Sequence, residues 1–177
     1  MTTDPESLCW FPMRVTYQRE LLVKQHLDQL QIENFLPMQV DWTNQEKKLV
    51  PAIHNLIFVR STRQQLTELK MTKHELEPLR YMMNNAESGG DIMVVPDKQM
   101  ENFIRVASVE DDTVMYLDND SYINKVGRHV RITDGQFKDV EGVIKRIKKN
   151  RYVVVQIEGV AAVAITYVPA CWLKDIS

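Results

Sequence analysis

The sequence predicts an α+β protein in two parts: an antiparallel sheet with flanking helices, followed by a small β-barrel. Helical and strand-like patterns alternate in the first part, whereas every patterned segment of the second is strand-like. Net charge and glycine content also differ between the two parts of the chain. From Lys125 onward ten lysines and arginines accompany five acidic residues, whereas residues 1–124 carry twelve against nineteen, and none of the six glycines precedes Gly89. We therefore expect an acidic domain over 1–110, a linker over 111–124 and a basic domain over 125–177.

The first domain opens with a strand and a helix. Residues 9–16 alternate as a strand, in which Pro12 predicts an edge position or a bulge. A helix over 19–30 follows, because Val23, Leu27 and Leu30 are spaced to form one apolar stripe.

The sequence of the remaining part of the first domain predicts the order β-β-α-β with one extra helix. Thr62 is a suitable cap for a helix that ends near Met71, and Pro96 suits the first position of a helix that runs to Ala107. The segments between them are predicted as follows: strand 33–40, hairpin tip 41–48, strand 49–60, and short strands 81–83 and 92–95 separated by a turn at 88–90.

The stretch from Val130 to Ile147 carries the clearest motif of the second domain. It has a short alternating strand, an Asp-Gly turn at Gly135, the single aromatic Phe137, a second glycine at Gly142 and a return strand. Glycines at these two positions indicate either a positive φ or a place where a Cβ would clash. A polar tip at 148–151 and strands over 152–157 and 160–168 complete the predicted barrel.

This stretch resembles the KOW motif, and the preceding residues resemble the NGN domain that accompanies it in the NusG family of transcription elongation factors. The resemblance extends from Trp10 to Trp172. It departs from the housekeeping pattern at His54-Asn55, where the family has Pro-Gly within an apolar strand. That departure, together with the tail 158–169, favours a specialised antiterminator of the RfaH or UpxY type.

The resemblance implies an RNA polymerase-binding surface on the NGN sheet. Ile53, Leu56 and Phe58 occupy the matching strand, and Arg14 stands where the first strand of the family carries an aromatic residue. Strand alternation also permits some of this run to be plain core, and Ile57 and Val59 are the better core candidates.

Two further surfaces follow from the resemblance. Specialised members contact non-template DNA near the first helix, where this chain has Arg19, Lys24 and His26; an ordinary solvated helix face is the alternative. The KOW barrel recruits Rho or a small-subunit ribosomal protein. Its candidate contacts are Ile132, Phe137, Lys145 and Arg146, and the basic run that includes the last two is also suited to RNA or to keeping a strand edge soluble.

The chain shows no sign of an enzyme, a metal site, a cofactor or a membrane segment. Nucleotide-binding and nucleophile motifs are missing, and the four histidines lack ligand spacing. No apolar run approaches the roughly 18 residues of a membrane helix, and the polar N-terminus is not a secretory signal, so we expect a cytoplasmic protein, predicted to be a monomer.

The resemblance implies a function in transcription elongation with antitermination, on a polysaccharide-biosynthesis operon. Two alternatives remain open: a general NusG that acts with Rho or the ribosome, and an RNA- or ribosome-binding KOW protein.

Overall fold

The computed structural model describes residues 4–84, 89–118 and 127–177. These fall into two compact units. The first unit comprises the residues up to Pro37 together with Val50–Asp97, and the second comprises Met38–Leu49 together with the residues from Lys98 onward. The helices and strands, in chain order, are β1 (Leu8–Val15), α1 (Glu20–Gln29), β2 (Asn34–Phe35), β3 (Met38–Thr43), β4 (Glu46–Pro51), β5 (Leu56–Thr62), α2 (Arg63–Thr72), β6 (Leu79–Tyr81), α3 (Asp97–Ala107), β7 (Val114–Tyr116), β8 (Arg128–Ile132), β9 (Glu141–Ile147), β10 (Asn150–Ile157), β11 (Ala161–Ile165) and β12 (Leu173–Asp175).

The first unit is built on an antiparallel sheet in the order β2-β5-β1-β6. Both α1 and α2 contact the central strand β5. The buried apolar side chains of these helices are Val23 and Leu27 on α1, at the predicted spacing, and Leu66 on α2. Leu30, predicted to continue this stripe, is instead exposed, because α1 ends at Gln29 and the chain turns through a positive φ at Gln31. The α+β prediction is confirmed.

Pro12 lies neither on an edge strand nor at a bulge, because β1 has neighbours on both sides and its register with β5 is unbroken, so that prediction was wrong. Pro12 pairs with Phe58 inside β1. The backbone explains why the proline is tolerated there. The Pro12 carbonyl accepts a hydrogen bond from the Met82 N–H at 3.4 Å, so it faces β6. In a strand the N–H of a residue points to the same side as its carbonyl, and the β1–β6 ladder begins only at Met13. The N–H that proline lacks would therefore lie beyond that ladder.

The predicted strand 33–40 is divided by Leu36-Pro37 into β2 and β3, and the return strand 49–60 is divided into β4 and β5. The hairpin tip is also tighter than predicted, since only Asn44 and Gln45 lie between β3 and β4, both with positive φ. The cap of α2 is confirmed, because the Thr62 hydroxyl accepts from the Gln65 N–H at 3.1 Å.

The remaining short strands are displaced or reduced. The predicted strand 81–83 lies at Leu79–Tyr81, and the segment 92–95 makes only the isolated bridges Trp10–Val95 and Met83–Ile92. Part of the predicted turn at 88–90 falls outside the described residues.

The second unit contains an antiparallel sheet in the order β12-β8-β9-β10-β11-β7. Strand β7 lies inside the segment predicted as a linker and pairs with β11; the remainder of that segment from residue 119 is outside the described residues. Strand β12, which the sequence did not predict, pairs with β8.

Both motif glycines have the structural roles predicted for them. Gly135 has a φ of 81°, and a Cβ there would lie 2.6 Å from the Trp172 ring. Gly142 has no positive φ, but a Cβ would lie 2.8 Å from both the Val153 side chain and the Val154 carbonyl oxygen. Each glycine therefore permits a close approach that any other residue would obstruct.

Candidate partner-binding surfaces

Three of the four predicted polymerase-binding residues, Arg14, Leu56 and Phe58, share one face of the sheet. Arg14 lies opposite Leu56, and Pro12 lies opposite Phe58, so these four side chains point to the same side. Leu56 and Phe58 are 4% and 0% exposed, whereas Arg14 is exposed. A partner can therefore reach Arg14 directly, but it can reach Leu56 and Phe58 only after they are uncovered.

Ile57 and Val59 point to the opposite face, and both are fully buried. The prediction that they belong to the core is confirmed. Ile53 lies before β5 in the bend 52–55 and is half-buried, which leaves part of its side chain accessible.

The bend that carries Ile53 is fixed by the residue that replaces the family's glycine. Asn55 has a φ of 61°, a left-handed conformation that asparagine tolerates better than most residues. Its N–H donates to the buried carboxylate of Glu20 at 2.5 Å, and its carbonyl accepts from the Val15 N–H at 3.0 Å. Helix α1 and strand β1 therefore both hold the bend in place.

Two arginines lie side by side on this unit. Strand β6 pairs with β1 in a register that places Arg80 directly opposite Arg14, and both side chains are exposed. The flanking pairs, Met13 with Tyr81 and Val15 with Leu79, point to the other face. The Arg80 guanidinium donates to the carbonyls of Glu77 and Leu79, the second at 2.9 Å, so its position is restricted.

Another cation of this unit contacts Tyr81, whose side chain points to the other face from Arg80. The Lys70 ammonium sits 4.5 Å from the centroid of the Tyr81 ring. Burial lowers the pKa of Lys70, and the positive charge of Arg80 lowers that pKa further.

The three predicted DNA-binding residues do not form a single patch. Arg19 precedes α1 and lies 5.6 Å from the centroid of the exposed Tyr17 ring. Lys24 pairs with Asp28 at 3.2 Å and donates to the Asn34 side chain at 3.2 Å. His26 is half-buried two positions further along, and residues two apart on a helix do not face each other.

The candidate contacts of the second unit divide into core and surface. Ile132 and Phe137 are 1% and 6% exposed, so in this conformation they serve as core residues. The turn around Phe137 is also held by Arg105 of α3, which donates to the carbonyls of Lys138 at 2.6 Å and Gln136 at 3.3 Å.

Lys145 and Arg146 occupy very different environments although they are adjacent. Lys145 is buried, its ammonium donates to the Gln156 side chain at 3.1 Å, and desolvation lowers its pKa. Arg146 is exposed and lies directly opposite Arg151. Only Arg146 of this pair is available to a partner.

The tip between β9 and β10, which we call the basic tip, consists of Arg146, Lys148, Lys149 and Arg151. All four side chains are exposed, and no carboxylate among the described residues forms an ion pair with them. Lys148 and Lys149 have φ values of 47° and 73°, conformations that glycine and asparagine adopt at lower cost. The turn thus holds two lysines in an unfavourable backbone conformation beside a pair of like charges.

Sequence reasoning missed Arg80 and the Glu20–Asn55 hydrogen bond. The alternation of Leu79, Arg80 and Tyr81 could have placed Arg80 on the opposite face from its neighbours. Its pairing with Arg14, 66 positions away, depends on tertiary structure and has no local signal.

Neither a metal cluster nor a membrane helix is found in the part of the chain that the structure describes. No group of three His, Cys, Asp or Glu side chains there is placed to hold a metal ion. Likewise, none of the helices formed by these described residues is both long and apolar enough to span a membrane.

Comparisons with known proteins cover both units. The family model described as transcription termination factor nusG matches residues 8–104, and the KOW motif model matches residues 126–158. A solved structure concerned with domain interaction in Thermotoga maritima NusG has a TM-score of 0.50 and 18% identity, over 98% of this chain and 100% of that chain. At this identity the likeness speaks for the fold alone. No curated protein sequence matches the chain.

Proposed function

Because the chain belongs to the NusG family of transcription elongation factors, we propose that it suppresses pausing or termination by binding RNA polymerase through the sheet of its first unit. The observation that carries this proposal is the family match over residues 8–104, which includes β1, β5 and β6 and therefore the candidate contacts Arg14, Ile53, Leu56 and Phe58. Proteins of this family bind RNA polymerase and are not enzymes.

Antitermination is the finer part of the proposal. It is supported by the His54-Asn55 departure, since Asn55 takes the left-handed conformation that glycine would otherwise provide. A left-handed residue at this position is compatible with a glycine-like bend whose side chains have changed, as expected of a specialised paralogue. The proposal extends to a polysaccharide-biosynthesis operon as the target, to the cytoplasm as the location and to a monomeric state.

The proposed mechanism is differential binding. A factor that contacts both sides of the polymerase cleft stabilises the closed clamp over the open, paused form. A difference of about 1.4 kcal/mol between the two forms shifts their ratio tenfold. Binding through Leu56 and Phe58 also requires a change that exposes them, which reduces the apparent affinity by the fraction of molecules that are uncovered.

The test is binding of the full chain to purified bacterial core RNA polymerase, followed by transcription through a pause site and a terminator. We expect binding, competition with a housekeeping NusG and increased read-through. Failure to bind the polymerase would refute the proposal, and binding accompanied by increased termination would instead favour the general NusG that acts with Rho.

The basic tip supports a second candidate function, RNA binding by the second unit. Four exposed cations without carboxylate partners among the described residues suit a phosphate backbone. Recruitment of Rho or a ribosomal protein through this unit would use Arg146 and, after exposure, Ile132 and Phe137. Binding of RNA with a steep salt dependence would favour the RNA candidate.

A further inference from the structure

The Arg14–Arg80 pair is an unfavourable arrangement for the isolated protein. Like charges directly opposite each other on antiparallel strands destabilise a sheet. No ion pair with either guanidinium occurs among the described residues, although the same unit pairs Arg60 with Glu33 at 3.1 Å and Lys24 with Asp28 at 3.2 Å. The fold therefore tolerates a local repulsion that a bound anion would relieve.

The geometry favours a carboxylate over a phosphate backbone. A surface that follows nucleic acid carries a row of cations, as the basic tip does. Arg14 faces a single arginine, Arg80, across β6 and the buried Leu56 across β5, so the pair is isolated and does not form part of a row of cations. Arginine is enriched at protein–protein interfaces, and its planar guanidinium matches a carboxylate with two parallel hydrogen bonds.

We propose that Arg14 and Arg80 together form a carboxylate-binding site that receives an aspartate or glutamate of the polymerase surface docked by the first unit. This inference rests on the proposed polymerase-binding function and adds the chemistry of the contact. It assigns a role to Arg80 and explains how a charge can replace an aromatic residue at position 14 without loss of docking.

The test measures the affinity for core RNA polymerase of the full wild-type chain and of three single variants: Arg14→Gln, Arg80→Gln and the control Lys73→Gln. Lys73 is exposed just beyond α2 in the same unit, so the control removes one positive charge away from the pair. We expect each arginine variant to weaken binding about tenfold, through the loss of charge-assisted hydrogen bonds, and the control to stay within about twofold. Arg14→Lys keeps the charge but not the two parallel donors, so an intermediate loss is expected.

A second measurement separates a binding role from a structural one. Arg14→Gln relieves the repulsion without removing a hydrogen bond seen in the structure, so its melting temperature should rise by about 1 to 3 °C while polymerase affinity falls. The salt dependence of binding should also become shallower for the two arginine variants than for the control.

The failures are distinguishable. If the wild-type chain does not bind polymerase, both the proposed function and this inference are overturned. If the wild type binds but the arginine variants bind as well as Lys73→Gln, or if all three variants lose affinity equally, the carboxylate site is refuted and the polymerase-binding function stands.

Discussion

The molecule carries two arginine pairs in matching positions, and their surroundings differ. Arg14 and Arg80 face each other across strands far apart in sequence, beside apolar residues. Arg146 and Arg151 face each other across a hairpin, beside two further cations on a turn with positive φ. The same like-charge contact therefore belongs to an isolated pair in one unit, proposed to bind a carboxylate, and to an extended cationic surface in the other. We expect the neighbouring residues, more than the pair itself, to decide which anion fits.

The largest expected effect tests whether the first surface depends on apolar contact as well as charge. Ile53→Glu places a carboxylate at a half-buried position beside the docking face, where it would oppose an acidic partner and lose apolar contact. We expect polymerase affinity to fall by at least about a hundredfold while RNA binding is unchanged. Circular dichroism and a thermal melt check that the fold is retained; unchanged polymerase affinity would remove Ile53 from the docking face.

The next effect concerns the basic tip. Replacing Arg146, Lys148, Lys149 and Arg151 with glutamine should reduce the slope of log K against log salt for single-stranded RNA by about 3, since each neutralised phosphate contributes about 0.7. We expect an affinity loss of about a hundredfold at low salt. The matched control is the double variant Arg14→Gln/Arg80→Gln, which should bind RNA as the wild type does. Equal losses in both variants would show that the two regions act only through net charge.

A smaller effect would reveal how strongly the tip is strained. Lys148→Asn with Lys149→Gly introduces the residues preferred in a turn with two positive φ values, and should raise the free energy of unfolding by about 1 to 2 kcal/mol. Urea denaturation provides the measurement. A stability gain together with weaker RNA binding indicates that the lysines favour binding at the expense of folding, whereas a stability loss would show that the turn is not strained.

The smallest effect compares the two pairs directly. Arg14→Glu and Arg146→Glu each convert a repulsive cross-strand contact into an ion pair, with Arg80 and Arg151 respectively. Each should raise the free energy of unfolding by about 0.5 kcal/mol at low salt, and less at high salt, because both pairs are exposed. A destabilisation of either variant would contradict the paired register as the source of the repulsion.

The parts of the fold that depend on local pattern could be predicted from the sequence. Helix α2 begins at its Thr62 cap, α1 buries Val23 and Leu27, and Gly135 and Gly142 have the steric roles that their spacing indicated. Pairing between distant segments could not be predicted. Thus Pro12 was assigned to an edge or a bulge although it lies inside a continuous ladder, with its missing N–H at an unused position. Strand β12 was missed because the strand that it pairs with, β8, lies about 40 residues earlier.

The same limit applies to the candidate surfaces. Ile132 and Phe137 were chosen because they are apolar and near the motif, but those properties also describe core residues, and both are buried. The exposure of a side chain depends on what packs over it, as the contrast between buried Lys145 and exposed Arg146 shows. Alternation along β9 predicts that these two side chains point to opposite faces of the sheet, but it does not show which face is buried by other residues.

The hydrogen bond from the Asn55 N–H to Glu20 makes the first turn of α1 and the bend before β5 a single mechanical element. Any ligand that displaces α1 would change the position of Ile53, and a partner that grips Ile53 would restrain α1 in return. If DNA binds α1 and polymerase binds at Ile53, thermodynamic linkage requires the factor by which DNA alters polymerase affinity to equal the factor by which polymerase alters DNA affinity. The buried Glu20 carboxylate would then couple the two proposed binding events.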